Sequence, residues 1–237
     1  MAKFKAKEQT KGRPQKRGFP WLWVTVVSFI AVFAFVFISQ SSQLITPPIP
    51  EGTTAAIVDQ LYTSYPNEDF TTKITQQLQD YGFKVDLYQG NDITVDLYRN
   101  LPSYGYKLII FRAHSGAICA SPQDIESIMG TYLFTNESYT EIKHTREQLN
   151  DELAKARVAQ GYPYLFAIGP KFVSYSMKGN FNNTVVIVAG CSCLYNEDLA
   201  QAFTQKGASA YLAWDATVDL DYVDRHYYAD LRNLCRE

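Results

Sequence analysis

The chain is poor in the side chains that metal and phosphate sites require. It has three histidines and four cysteines, no second closely spaced Cys/His pair to complete a structural metal site, and no Gly-rich loop of diagnostic phosphate-binding spacing. Asp219, Asp221 and Asp224 lack the Gly turn and the terminal Glu of a calcium loop, so they read as a solvated helix start. Neither a metal nor an organic cofactor is expected. No internal repeat or low-complexity segment is present.

Basic residues are missing from one long stretch, since no Lys or Arg occurs between Ile38 and Lys73. They are concentrated at the front instead, where residues 1–20 carry Lys3, Lys5, Lys7, Lys11, Arg13, Lys16 and Arg17 against the single acid Glu8. Between these two regions runs WLWVTVVSFIAVFAFVFI, residues 21–38, eighteen residues without a charge. That is long enough to cross a bilayer core as a helix. Trp21 and Trp23 sit at the level of an interfacial aromatic belt, and the basic flank stays on the cytoplasmic side. A cleaved signal peptide is the competing reading, but the apolar run exceeds the usual length and Ser39-Gln40-Ser41-Ser42-Gln43 is a weak cleavage site. The expectation is therefore a cytoplasmic tail (1–20), a single transmembrane helix (21–38), a Pro-rich tether (39–53) with Pro47, Pro48 and Pro50, and an extracytoplasmic domain (54–237). The lipid bilayer is one expected partner.

With the seven bases and one acid of the tail set aside, fifteen bases face twenty-three acids, a net charge near −8. Such a surface disfavours nucleic acid as a partner. Cys119, Cys191, Cys193 and Cys235 all lie in the outer portion, where disulfides persist, and four cysteines pair in three ways. If Cys191 is a working thiol, one of the other three is left over, and Cys119 with Cys235 is one pairing among several. The sequons Asn136-Glu137-Ser138 and Asn182-Asn183-Thr184 are compatible with glycosylation outside a cell.

Strand and helix alternate through the domain, which argues for parallel βαβ units. The expected order is a strand over 55–61, a helix over 69–81 with Phe70, Ile74, Leu78 and Tyr81 on one face and Gly82 ending it, a strand over 83–88, a short helix over 94–100, and a strand over 107–113. Residues 117–182 break the rhythm, with a hairpin arm at 132–135, a helix over 139–160 and a Gly/Pro-bounded run over 164–173; the aromatic stretch 162–175 reads as packing more readily than as a substrate-facing flap. A strand ending at Cys191, a helix over 196–206 capped by Gly207, a strand over 208–214 and a helix over 219–234 complete the chain.

Two of these strands end in reactive side chains, Leu108-Ile109-Ile110-Phe111-Arg112-Ala113-His114-Ser115-Gly116 and Val185-Val186-Ile187-Val188-Ala189-Gly190-Cys191-Ser192-Cys193. Ligands of open α/β sheets bind beyond the carboxyl ends of the strands, and a Cys/His pair is a nucleophile and its base. A Cys in an apolar run is more often an inert core residue. At Cys191, however, Gly190 permits a tight turn, and a following helix N-terminus would supply amides for an oxyanion and lower the thiol's pKa. His144 and His226 sit in charged, solvated stretches, which leaves His114 as the candidate base. Cys193 is a resolving thiol, a metal ligand with His114, or a core residue, and core is preferred.

This order, His-Ser-Gly at one strand end, an insertion, Ala-Gly-Cys at the next, a polar helix, and a strand ending in Trp214-Asp215, resembles the caspase-like cysteine peptidases. That group includes caspases, metacaspases, legumain, gingipain, clostripain and the CHAT domains. The stretch Leu199-Ala200-Gln201-Ala202-Phe203 through Gly207 to Trp214 is particularly similar to the gingipain-like and CHAT pattern. The resemblance covers roughly 54–232 and implies a caspase-like three-layer α/β sandwich with a mainly parallel central sheet. It implies His114 as base, Cys191 as thioester-forming nucleophile, the amides of Gly116 and Cys191 as oxyanion donors, and Trp214 and Asp215 in substrate binding, an acid at 215 suiting a basic side chain. Ala189 departs from the acid that many metacaspase- and clostripain-like members carry there. The implied activity is cysteine-type endopeptidase on a peptide or protein substrate. An inactive domain that binds a peptide or protein in the same crevice is the alternative, and a redox module on Cys191 and Cys193 is a third, although their one-residue spacer is not the usual redox spacing.

Overall fold

The computed structural model describes residues 52–121 and 124–225, which belong to one compact unit. The expected tail, span and nearly all of the tether lie outside the described residues, as does the expected helix beyond 225. Among the described residues no helix is long and apolar enough to cross a membrane.

A five-stranded sheet forms around three near-continuous apolar runs, the pattern of strands covered on both faces. Its strands are β1 (Thr54–Asp59), β2 (Lys84–Gln89), β3 (Leu108–Arg112), β8 (Thr184–Ala189) and β9 (Ala208–Ala213), in the order β2-β1-β3-β8-β9 and all parallel. The α/β class and the parallel sheet read from the sequence are thus present. One face carries Ala55, Ile57, Leu108, Ile110, Ile187 and Ala189 against Phe70, Ile74 and Leu78 of α1 (Glu68–Asp80) and Val223 of the helical stretch 220–225. The other carries Ala56, Val58, Ile109, Phe111, Val186 and Val188 against α2 (Val95–Asn100) and α4 (Asp198–Gln205). Each fully buried aliphatic or Phe side chain here contributes roughly 1.5–3 kcal/mol.

Local signals start and stop the helices. Asn67 accepts from the Phe70 N–H at 3.0 Å to cap α1, and Gly82 ends it with φ +97° while Phe83 N–H bonds the Leu78 carbonyl at 3.0 Å. Thr94 caps α2 by accepting from Leu97 N–H at 3.1 Å.

A second, antiparallel sheet occupies the insertion, in the order β4-β5-β7-β6, from β4 (Ser115–Ser121), β5 (Asp124–Ser138), β6 (Leu153–Ala156) and β7 (Leu165–Ile168). The hairpin arm expected at 132–135 is present within the longer strand β5, which pairs antiparallel with β4 through Ser115↔Leu133 and Gly116↔Tyr132. One expectation is corrected here. The helix expected over 139–160 shrinks to α3 (Thr145–Leu149), followed by β6 paired to β7 through Leu153↔Ile168 and Ala156↔Leu165. Ile142 and Leu149, which that helix needed on a buried face, are 88% and 81% exposed. With no core to cover them, burial of Leu153 and Ala156 in the second sheet wins over helix propensity. In the aromatic stretch 162–175, Phe166, Phe172 and Val173 are buried, whereas Tyr162, Tyr164 and Tyr175 are exposed.

Candidate active site

His114 and Cys191 stand at the carboxyl ends of neighbouring strands. The last register pair of β3 and β8 is Arg112↔Ala189, and each candidate lies two residues beyond it. Two further bonds hold these ends together: Ala113 N–H donates to the Ala189 carbonyl at 3.3 Å, and Ser115 Oγ donates to the Cys191 carbonyl at 2.8 Å. Gly190 is required for this approach, because a Cβ there would stand 2.4 Å from Ser115 Oγ and 2.6 Å from the Ala113 carbonyl oxygen. Its value is therefore closeness to β3 rather than an unusual turn angle; the left-handed residue of this loop is Ser192, at φ +55°.

The chain reverses direction between β1 and β3 in the sheet order, so the crevice at their carboxyl ends is a switch point. His114 is fixed beside it. Its N–H donates to Gln60 Oε1 at 2.8 Å, its carbonyl accepts from Phe134 N–H at 3.0 Å, and its Nε2 lies 3.4 Å from Ser64 Oγ. Gln60 is held in turn by Asn136, to whose Oδ1 it donates at 2.7 Å. Burial, together with the neighbouring Arg112 charge, lowers the His114 pKa below its ordinary 6.5, so the ring is neutral at neutral pH and suited to take a proton.

Cys191 is half-buried and free, and its thiol is directed to the Val218 carbonyl at 3.6 Å. The loop after it is laced to the loop after β9, with Ser192 N–H on the Ala216 carbonyl and Leu194 N–H on that of Trp214, both at 2.9 Å. Among the described residues no side-chain hydrogen bond joins His114 to Cys191. The structure brings their strand ends together and leaves the ring on Ser64 and the thiol on Val218. The helix expected over 196–206 is present as α4 from Asp198, but turns fill 191–197, so its N-terminus does not adjoin the thiol as expected.

The remaining predicted residues scatter around this point. Gly116 lies in β4 opposite Tyr132 and has open space where a Cβ would stand. Trp214 packs on the apolar face with Val223 and meets the Tyr222 ring edge-on at 6.3 Å, whereas Asp215 is exposed. Cys193 is fully buried in the core and free, and burial pushes its thiol up to about 11. His144 is not the solvated residue expected: it is mostly buried, 3.1 Å from Glu137 Oε1 and edge-on to Phe166. Asn136 donates its amide to the Gln60 and Gly90 carbonyls at 3.1 and 2.9 Å, so the folded chain uses this sequon internally, while Asn182 is exposed. Cys119 and Cys235, like His226, offer no described side chain.

A groove of about 330 Å³ opens at His114, lined by Ser115, Gly116, Ala117, Phe134 and the β6 end from Lys155 to Val158. Cys191 is not among its lining residues. Behind the site Arg112 is wholly buried, donating to Asp59 at 2.8 Å and to both oxygens of Asp224 at 3.0 and 2.9 Å. Burial raises the Asp59 pKa against the opposing pull of Arg112. Sequence reasoning missed this triad as well as Gln60, Ser64 and Asn136. A polar residue directly after the apolar β1 run was the available signal for Gln60. Among the described residues no group of three potential ligands stands together for a metal ion. The chain matches no protein-family model and no curated protein.

Proposed function

We propose that this chain is a membrane-anchored cysteine endopeptidase of caspase-like fold, working through a His114/Cys191 dyad. The observation that carries the reading is the equal overhang of both residues beyond Arg112↔Ala189 on adjacent parallel strands, which are about 4.8 Å apart in a sheet. The lowered pKa of His114 supports it as a neutral base. Rotation of the ring from Ser64 and of the thiol from Val218 on substrate binding completes the pair, as catalytic hydrogen bonds commonly tighten only in the complex.

In the first step the Cys191 sulfur attacks the scissile carbonyl carbon while His114 takes the thiol proton. The oxyanion is received by the amides of Gly116 and Cys191. Collapse breaks the C–N bond, His114 returns the proton to the leaving amine, and water releases the acid from the thioester. Trp214 and Asp215 border the substrate path from β9. The segment 21–38 tethers the domain outside the cytoplasm, on its exit side from the bilayer.

A peptidyl acyloxymethyl ketone is expected to alkylate Cys191 in the full chain, expelling its carboxylate and leaving the peptidyl methyl ketone on sulfur, and His114→Ala to abolish the adduct. Equal labelling of both proteins removes the dyad. The second reading, a peptide-binding domain without catalysis, is favoured by the separate partners of ring and thiol; it wins if Cys191→Ser keeps partner binding and no peptide library is cut.

A further inference from the structure

The groove at His114 has a charge opposite to that of the domain around it. Lys155 and Arg157 alternate on the exposed side of the β6 end and both line the groove. They share one ring: Lys155 Nζ lies 4.5 Å and Arg157 Cζ 5.0 Å from the Tyr164 centroid, and Lys155 Nζ also lies 5.0 Å from that of Tyr139. Neither has a carboxylate within ion-pair distance among the described residues. Four acids of the same region are committed elsewhere, Glu137 to Lys143 and His144, Glu147 to Arg99, Asp151 to Lys171 and Glu152 to Ser176. Two like charges are thus held together on aromatic faces with no counter-ion among the described residues, in a chain whose outer portion is acidic. Asp215 does not line this groove.

We infer that the groove receives a peptide segment bearing carboxylate side chains, with Lys155 and Arg157 as the receiving groups. The inference rests on the peptidase reading and names the substrate class of that same site, acidic rather than basic. The cation–ring contacts preorder both long side chains, which reduces the conformational cost of binding. A carboxylate entering between them meets two donors beside His114. Because the charges are exposed, the attraction is screened by salt.

The test uses the full-length Cys191→Ala protein in detergent micelles and fluorescein-labelled hexaglutamate and hexaglutamine peptides, read by fluorescence anisotropy. Hexaglutamate is expected to bind about tenfold tighter, with the margin vanishing as salt shortens the Debye length from about 10 to 3 Å. Lys155→Glu/Arg157→Glu removes the preference, and Lys155→Glu alone weakens it, while Lys84→Glu, the same single charge reversal on the distant edge strand, retains it. If the double variant does not fold, Lys155→Gln and Arg157→Gln each reduce the preference about threefold. Equal binding of the two peptides, or a preference that survives the groove substitutions, overturns the inference. The ketone adduct on Cys191 reads the peptidase proposal separately. Its absence with an intact acidic preference defeats catalysis alone, and its presence with equal peptide binding defeats the acidic groove alone.

Discussion

Arg112→Met withdraws a guanidinium from between two carboxylates while keeping most of the aliphatic stem. Asp59 is wholly buried and Asp224 is 4% exposed, so both lose their counter-charge where water cannot replace it. Removing one partner of a buried ion pair costs about 3–5 kcal/mol, a large part of the 5–15 kcal/mol that holds a typical domain together. For a domain of this size that lowers Tm by about 6–20 °C. The loss has a pH signature. Burial already raises the Asp59 pKa above its ordinary 3.8, and without Arg112 nothing opposes that rise, so the folded variant binds more protons than the unfolded chain and gains stability as pH falls. Thermal unfolding of the full chain followed by circular dichroism is expected to show the largest gap between variant and wild type near pH 8, narrowing toward pH 5. Asp59→Asn/Arg112→Met/Asp224→Asn recovers at least half of the loss. An Arg112→Met protein melting within about 2 °C of wild type at pH 8, less than 1 kcal/mol of loss, refutes the buried-triad reasoning.

Other consequences are as direct. Gly190→Ala forces a methyl into the Ser115 hydroxyl and the Ala113 carbonyl and is expected to cost about 1–3 kcal/mol, read as a lower Tm. Because Cys193 is fully buried with its thiol pushed up to about 11, iodoacetamide at pH 8 should leave it unmodified in the native protein and alkylate it after denaturation, as peptide mass mapping will show. Glu137 is a pH-dependent brace: burial alone would raise its pKa, but the Val95 N–H, His144 and Lys143 together hold it below 4.5. Its stabilisation is present above that value and lost as pH falls through the folded pKa, so the Tm difference between wild type and Glu137→Gln should shrink in acid.

The inner strands β1, β3 and β8 were readable because they are buried on both faces and so appear as apolar runs, whereas the edge strands β2 and β9 are partly exposed. The helix limits were readable because Asn67 and Thr94 at the starts and Gly82 at an end act within four residues of the backbone groups concerned. The insertion was not. Residues 139–160 have helical composition, and only the presence of β7, with Phe166 and Ile168 to pair against, turns Leu153–Ala156 into a strand. The Arg112 triad was equally hidden, since its acids lie 53 and 112 positions away and nothing local marks them as partners. For the site, the two strand ends could be read from the pattern, but Gln60, Ser64 and Asn136, which hold His114, become its neighbours only through strand order.

The central claim is that His114 and Cys191 act as one unit, and the acyl-enzyme burst from an activated nitrophenyl ester tests it most directly. Wild-type protein is expected to release one equivalent of nitrophenol per chain, with an acid limb below about pH 6.5 as His114 is protonated. His114→Ala should slow that burst at least about a hundredfold, the usual share of a general base. A burst of equal rate in His114→Ala, or none in the wild type, contradicts the account.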